Sequence, residues 1–438
     1  MDEFDKDEIK ETIKKNYSSR NKYLNSLIQM FTKLTNGCIL GLASKWGNGK
    51  TYFLKQLEFL LNNCLNQEYE EFISEISSLQ IAKNECIKCI YINAWESEIY
   101  ENPALAIIYE LLLNNPSVQF GSIETGLKIS NILKNIVETI SKGIIKAEDI
   151  KYNTDKEMFE DLSKIKKQKE LISKFIYELK GELGVNKLVI IVDELDRCKP
   201  NYSVKFLETL KHYYLVENVI VLVSIDRTQL SNSIKNVYGN EFDSYLYLDK
   251  ILDILFELPS LSYDELKHYM QKKLNYELKT NYVDSIVINR AVYKFHPSLR
   301  EINKFYDYYR MFIKRDSYFE KSEIIVVKYY FYPFLIFTYL FRYEKYLKFV
   351  SRDYDEAYDF LIFDRTEKII KTDFNPKTNN DSNKNINDIK VIIKALFDVV
   401  VNVINNEKYI NNECYYYEDQ FSFILDDLPF LKMNLAWL

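Results

Sequence analysis

Two short runs in this chain hold residues whose types and spacing suit phosphate chemistry. The first is Ser44-Lys45-Trp46-Gly47-Asn48-Gly49-Lys50-Thr51, preceded by the apolar Cys38-Ile39-Leu40-Gly41-Leu42-Ala43 and followed by a helical run from Tyr52 to Leu61. A strand, a small-residue loop and a helix that opens on Lys-Thr are the setting of a phosphate-binding P-loop. Gly47 and Gly49 let backbone N–H groups converge on phosphate oxygens without a Cβ in the way. The helix N-terminus adds its partial positive charge. Lys50 is spaced to reach the β- and γ-phosphates, and the Thr51 hydroxyl to ligate Mg²⁺. Trp46, Gly47, Asn48, Gly49, Lys50, Thr51 and Tyr52 are the candidate nucleotide contacts. The P-loop pattern has Gly at its first position, where this chain has Ser44.

The second run, Leu188-Val189-Ile190-Ile191-Val192-Asp193-Glu194, is apolar and β-branched and ends in two carboxylates. It predicts a strand buried on both faces of a parallel sheet, with its acids at the end where ligands bind in doubly wound folds. Asp193 is the candidate for the Mg²⁺ shell beside Thr51, and Glu194 the candidate base that polarises the attacking water.

The elements that must position these groups follow from the pattern along the chain. Further strands are expected at Cys89 to Trp95, Val219 to Asp226 and Ile254 to Pro259, with helices at Pro103 to Leu113 and Ser203 to Tyr214. Such alternation predicts an α/β fold, a mostly parallel sheet covered by helices on both faces. A helical lead-in occupies residues 1–36, with Leu27, Phe31 and Leu34 on one face. The P-loop core takes residues 37–116 and 187–262, split by an insertion at 117–186. Within it Ile129, Ile132, Leu133, Ile136, Val137, Ile140 and Ile144 recur at helical spacing, and a second periodic run spans Met158 to Leu179. A helical pair packed on the core, and an arm that binds a partner or a membrane surface, both fit that pattern. From residue 263 to 438 the chain reads as an all-α domain, with a polar loop at 375–388, a helix from Ile389 to Ile404 and an aromatic tail from Tyr415.

Composition narrows the function. The chain has 438 residues, 47% hydrophobic and 28% charged, the balance of a globular protein with more than one domain. A net charge of −6 gives no electrostatic footprint for duplex DNA. The 36 Tyr and 27 Phe read as compositional bias rather than as base-stacking sites. Six Cys do not make a disulfide framework, and Cys86 and Cys89 lack a second pair or a His cluster to complete a zinc site. The acidic N-terminus carries no signal-peptide pattern, so a reducing cytoplasm is expected. The apolar run Ile324 to Phe341, interrupted by Lys328 and Pro333, predicts a buried helix pair rather than a membrane span.

Several patches share one resemblance. They are the Trp46-Gly47-Asn48-Gly49-Lys50-Thr51 loop, Asn93-Ala94-Trp95, Asp193-Glu194-Leu195-Asp196-Arg197-Cys198, Tyr247-Leu248-Asp249-Lys250-Ile251 leading to Leu258-Pro259, and His296-Pro297-Ser298-Leu299-Arg300. Together, over roughly residues 20–345, they resemble the KAP family of P-loop NTPases, within the additional-strand, catalytic-glutamate class. Ser44 and Glu194 depart from that family's usual Gly and second Asp; Glu is the ordinary base of the wider class. The resemblance implies ATP and Mg²⁺ as cofactors, with Ser224 or Asp226 as a polar sensor at the strand end and Arg300 as a second sensor of the γ-phosphate. Asp196 and Arg197 are expected to set the turn after Asp193, and Trp95 to be core. It also implies a Mg²⁺-dependent ATPase that switches or assembles a protein complex, with an effector or neighbouring-gene product as partner and a bacterial anti-phage module as setting. Self-association is compatible with this reading, a membrane is disfavoured, and nucleic acid is disfavoured by charge. A nucleic-acid motor or loader and a non-hydrolysing ATP-binding scaffold are the rivals.

Overall fold

Five apolar runs form the strands β1 (Cys38–Ala43), β2 (Ile87–Asn93), β3 (Lys187–Asp193), β4 (Val219–Ile225) and β5 (Ile254–Glu257) in a computed structural model of the chain. All neighbouring strands are parallel, in the order β2-β3-β4-β1-β5. β4 therefore lies between β1, which leads into the phosphate loop, and β3, which ends in the acidic pair. The structure describes residues 6–16, 19–64, 72, 76–114, 129, 131–137, 155–278, 290–313, 332–361, 394, 397–398, 401, 414–417 and 421–424. It divides into two compact units, Met1–Ser260 and Leu261–Leu438.

In the first unit, β1, β3 and β4 are buried along their whole lengths, as a parallel sheet with two covered faces requires. One face carries Leu40, Leu42, Ile191 and Leu222 against α1 (Lys6–Lys15), α2 (Asn21–Lys33), α3 (Lys50–Asn63) and α4 (Ser78–Asn84). The opposite face carries Ile39, Ile190, Val192, Val221 and Val223. There it meets α5 (Ala94–Ser97), α6 (Pro103–Leu113), α7 (Asp155–Leu183), α8 (Pro200–Tyr213), α9 (Arg227–Tyr238) and α10 (Ser244–Ile251). Leu27 and Phe31 of the lead-in are fully buried and Leu34 packs beside them. Lys187 opens β3 from a buried position; its ammonium donates to the Phe31 and Thr32 carbonyls at 2.8 and 3.1 Å and so caps the C-terminus of α2.

The insertion is core-packed where it is described. Ile129, Ile132 and Ile136, with Ile172, Phe175, Ile176 and Leu179 of α7, join the same cluster as Val192 and Val221. The stripe is narrower than expected: Leu133 is half-buried and Val137 is 47% exposed. Ile140 and Ile144 lie outside the described residues. The second strand also ends earlier than expected, at Asn93. The Asn93 side chain accepts the Trp95 and Glu96 N–H groups at 3.1 and 3.3 Å, which starts α5 and puts Trp95 on its exposed side. Trp95 is thus 52% exposed rather than core.

The second unit contains α11 (Tyr263–Leu278), α12 (Leu299–Ile313), α13 (Tyr332–Phe341), α14 (Tyr343–Val350) and α15 (Asp355–Leu361). Aromatic rings make its core: Phe295 stacks on Phe337 at 4.8 Å and on Phe360 at 5.6 Å, and Phe305 on Tyr309 at 5.4 Å. The apolar run that resembled a span contributes Phe334, Leu335, Ile336 and Phe337, all fully buried. Its part before Tyr332 lies outside the described residues, and no described helix is long and apolar enough to cross a membrane. The unit is not all helical. β6 (Cys414–Tyr417) and β7 (Phe421–Ile424) pair as an antiparallel hairpin where an aromatic tail was expected, in keeping with the strand preference of aromatic side chains. The polar stretch 375–388 is outside the described residues, and of the helix expected over 389–404 only residues 394, 397–398 and 401 are described, each helical.

Candidate nucleotide site

β1 runs into the loop of residues 44–49, and its backbone shows where glycine is needed. Gly47 and Gly49 have φ of 83° and 77°, in the left-handed region that a Cβ disfavours. Ser44 is not among the positive-φ residues, so replacing Gly there carries no backbone strain. Its N–H donates to the Ile225 carbonyl at 3.1 Å, which ties the start of the loop to the end of β4. Gly49 caps α3, whose first N–H groups have no intrahelical acceptor and face the loop. Asn48 is buried and its amide donates to the Ser44 hydroxyl at 3.2 Å and to the Ser260 hydroxyl at 2.8 Å. Arg20, also buried, reaches the Gly49 and Pro259 carbonyls at 3.5 and 3.4 Å.

Lys50 is only 8% exposed, and its ammonium donates to the Ser44 carbonyl at 2.5 Å. Burial lowers its pKa, opposed by the carboxylates of Asp196, Asp226 and Asp193. Those three acids are near enough to act on Lys50, and they come from the ends of two strands. Asp193 is 2% exposed; one carboxylate oxygen accepts the Glu194 N–H at 2.9 Å and the other the Tyr91 hydroxyl at 3.0 Å. Burial, then Asp193, push the Tyr91 phenol pKa up, so it stays a donor to that carboxylate. The last registered pair of β3 and β4 is Val192 with Val223, so Asp193 and Ser224 follow side by side. Alternation gives both the face of Ile191 and Leu222, which α3 covers. The Ser224 hydroxyl is buried there with no hydrogen-bond partner among the described residues.

Glu194 sits at φ 64° in the turn after β3, and its carboxylate pairs with the Arg197 guanidinium at 2.6 Å. Arg197 in turn lies 5.9 Å from the centre of the Trp95 ring. Arg197 therefore pairs within the acidic turn, as expected, whereas Asp196 reaches across to the phosphate loop. One Asp196 oxygen accepts the Trp46 indole N–H at 2.7 Å and the Asp226 N–H at 2.9 Å.

Three candidate contacts in the first unit are engaged elsewhere. Both N–H groups of Trp46 go to carboxylates, the backbone one to Asp226 at 3.1 Å, so neither is directed at a phosphate. The Tyr52 hydroxyl bonds Thr12 at 2.8 Å on α1, which leaves only its backbone N–H for a ligand. Asp226 caps α9: its other oxygen accepts the Thr228 and Gln229 N–H groups at 3.1 and 3.3 Å. Arg300 lies in the second unit, exposed in the first turn of α12, whose capping Ser298 starts the helix earlier than expected. The structure adds Tyr91 and Arg20, which sequence reasoning missed. Tyr91 had a signal in its place on β2 two residues before Asn93; Arg20 had none in the local pattern.

A family model described as the KAP family P-loop domain matches residues 20–397. The chain belongs to the KAP family. The match begins at Arg20, the residue that holds Gly49, and spans the loop, both acidic strand ends and most of the described second unit. No curated protein matches the chain. The site's chemistry fits the group a KAP P-loop domain implies. Lys50, the capped start of α3 and the unpartnered Ser224 hydroxyl supply donors for phosphate oxygens. Among the described residues no cluster of three or more His, Cys, Asp or Glu forms a metal cage. Mg²⁺ needs none, since it is held by one or two protein oxygens, substrate phosphates and water.

Proposed function

We propose that this KAP protein binds Mg²⁺-ATP at the loop of residues 44–51 and hydrolyses it. The observation that carries this reading is the meeting of Lys50, Asp193 and Ser224 at the carboxyl ends of β1, β3 and β4, beside the N-terminus of α3. Thr51 and Asp193 would hold the metal, which supplies charge neutralisation at the β- and γ-phosphates. The N–H groups of Gly47 to Tyr52 and the Lys50 ammonium would bind the phosphate oxygens. The Ser224 hydroxyl would donate to the γ-phosphate or to the attacking water. Tyr91 holds Asp193 in one orientation through its hydroxyl. Glu194 would accept the water's proton once its carboxylate turns from Arg197. ATP over GTP rests on the family.

The nucleotide would act as a switch between the two units. Asn48 of the loop bonds Ser260, the last residue of the first unit, and Arg20 joins Gly49 to Pro259, so the loop is wired to the connector. The partner would be a protein, an effector or neighbouring-gene product, in the cytoplasm; a defence module is the setting that the family resemblance suggests. Glu194→Gln keeps shape and removes the base. It should bind ATP like the wild type and turn over about 10²–10⁴-fold more slowly in a phosphate-release assay. Turnover at the wild-type rate would remove Glu194 from its role, and an inactive wild type that still binds ATP would favour the scaffold reading.

A further inference from the structure

We propose that Trp46 and Asp196 are positioning residues, whose indole–carboxylate bond keeps the phosphate loop in register with the turn that carries Asp193 and Glu194. The inference rests on the reading of the site as one that hydrolyses ATP. β1 and β3 are not neighbours, because β4 separates them, so no ladder of backbone hydrogen bonds relates their loops. Side chains beyond the strand ends supply the direct link. The structure shows a closed ring of such bonds. The Trp46 indole N–H donates to Asp196 at 2.7 Å, the Asp226 N–H donates to the same oxygen at 2.9 Å, and the Trp46 backbone N–H donates to Asp226 at 3.1 Å. Three loops, after β1, β3 and β4, are joined by two carboxylates.

The identity of the residue supports a role for its N–H. The Trp46 side chain belongs to a residue 46% exposed and absent from both buried clusters of the first unit, so burial does not account for it. What tryptophan offers there, and Phe or Leu does not, is the donor that reaches Asp196. Hydrogen bonds to a charged acceptor are about twice as strong as neutral ones, and a half-buried carboxylate serves as a fixed anchor. A loop set free from the acidic turn would still cradle phosphates through Gly47 to Thr51. It would lose the spacing between the bound γ-phosphate and the Glu194 carboxylate, to which the chemical step is most sensitive.

The test uses the full chain, a fluorescent ATP analogue for affinity, phosphate release for turnover and thermal unfolding for stability. Trp46→Phe removes the N–H together with part of a ring that is 46% exposed, so little buried packing goes with it. It should lower kcat about 10- to 100-fold while affinity stays within about threefold and the unfolding midpoint holds. Asp196→Ala should do the same, and the double variant should be no worse than either single one. Asp196→Asn keeps an oxygen for both N–H groups and should recover most of the turnover. Wild-type kcat in Trp46→Phe overturns the inference. So does a loss of kcat that follows the unfolding midpoint, adds up in the double variant and is not recovered by Asn. Absent turnover in the wild type overturns the ATPase reading itself, and this inference with it; that outcome is recognised without any variant.

Discussion

At the scale of single residues, the site is a set of carboxylates arranged around one buried lysine. Burial raises the Asp196 pKa above the ordinary 3.8, while the Trp46 bond and Lys50 pull it back. A carboxyl whose folded pKa exceeds its unfolded value contributes stability that is present below the unfolded pKa and lost as pH rises through the folded one. Acidification therefore protonates Asp196 before ordinary carboxylates without destabilising the fold through this group, and weakens the indole bond first. Trp46 fluorescence should shift on acid titration with a midpoint above 3.8, ahead of unfolding, and the transition should be missing in Trp46→Phe. A signal that changes only with unfolding contradicts this. Much of the site was legible in the chain, because Lys50, Thr51, Asp193 and Glu194 announce themselves by order along a strand–loop–helix. The clasp was not. Trp46, Asp196 and Asp226 stand far apart in sequence, and only the strand order brings them within bonding distance.

At the scale of elements, periodicity reported strands and helices well and their ends poorly. The buried strands β3 and β4 and the helix Pro103–Leu113 follow from apolar runs alone. The ends are decided by caps: Asn93 turns β2 into a helix, and Ser298 starts α12 at Leu299, two residues before the expected Glu301. Nothing local told the aromatic stretch Cys414–Tyr417 that it would find a strand partner. The insertion illustrates what packing adds to periodicity, since Ile129, Ile132 and Ile136 face the core and Val137 does not. Ile136 is 1% exposed, so Ile136→Glu loses about 1.5–3 kcal/mol of apolar burial and adds the cost of an unpaired carboxylate. We expect a denaturation midpoint clearly below the wild type. Equal midpoints would mean that this stripe serves a partner and not the core.

At the scale of the whole molecule, the phosphate loop is bonded to Ser260 directly and to Pro259 through Arg20, at the end of the first of two units. Arg300 is exposed at the start of α12, and a guanidinium can meet a phosphate with a forked pair of N–H donors. The family resemblance implies that it senses the γ-phosphate; in that role it would distinguish ATP from ADP, and a ligand shifts a two-state equilibrium only by such a difference in affinity. ATP should protect the connector from limited proteolysis more than ADP does, and Arg300→Ala should remove that difference while leaving ADP affinity unchanged. Equal protection in wild type and variant would assign the sensing elsewhere. Arg227 is then a weaker substitute, since it already pairs with Asp249 at 2.6 Å. The measurement that tests the central claim most directly is calorimetric titration of Mg²⁺-ATP into the wild type and Lys50→Ala, with unfolding curves for both. The account predicts one site in the wild type and an affinity lower by about 100-fold or more in the variant, whose fold is kept. Equal affinity in the two proteins would contradict it.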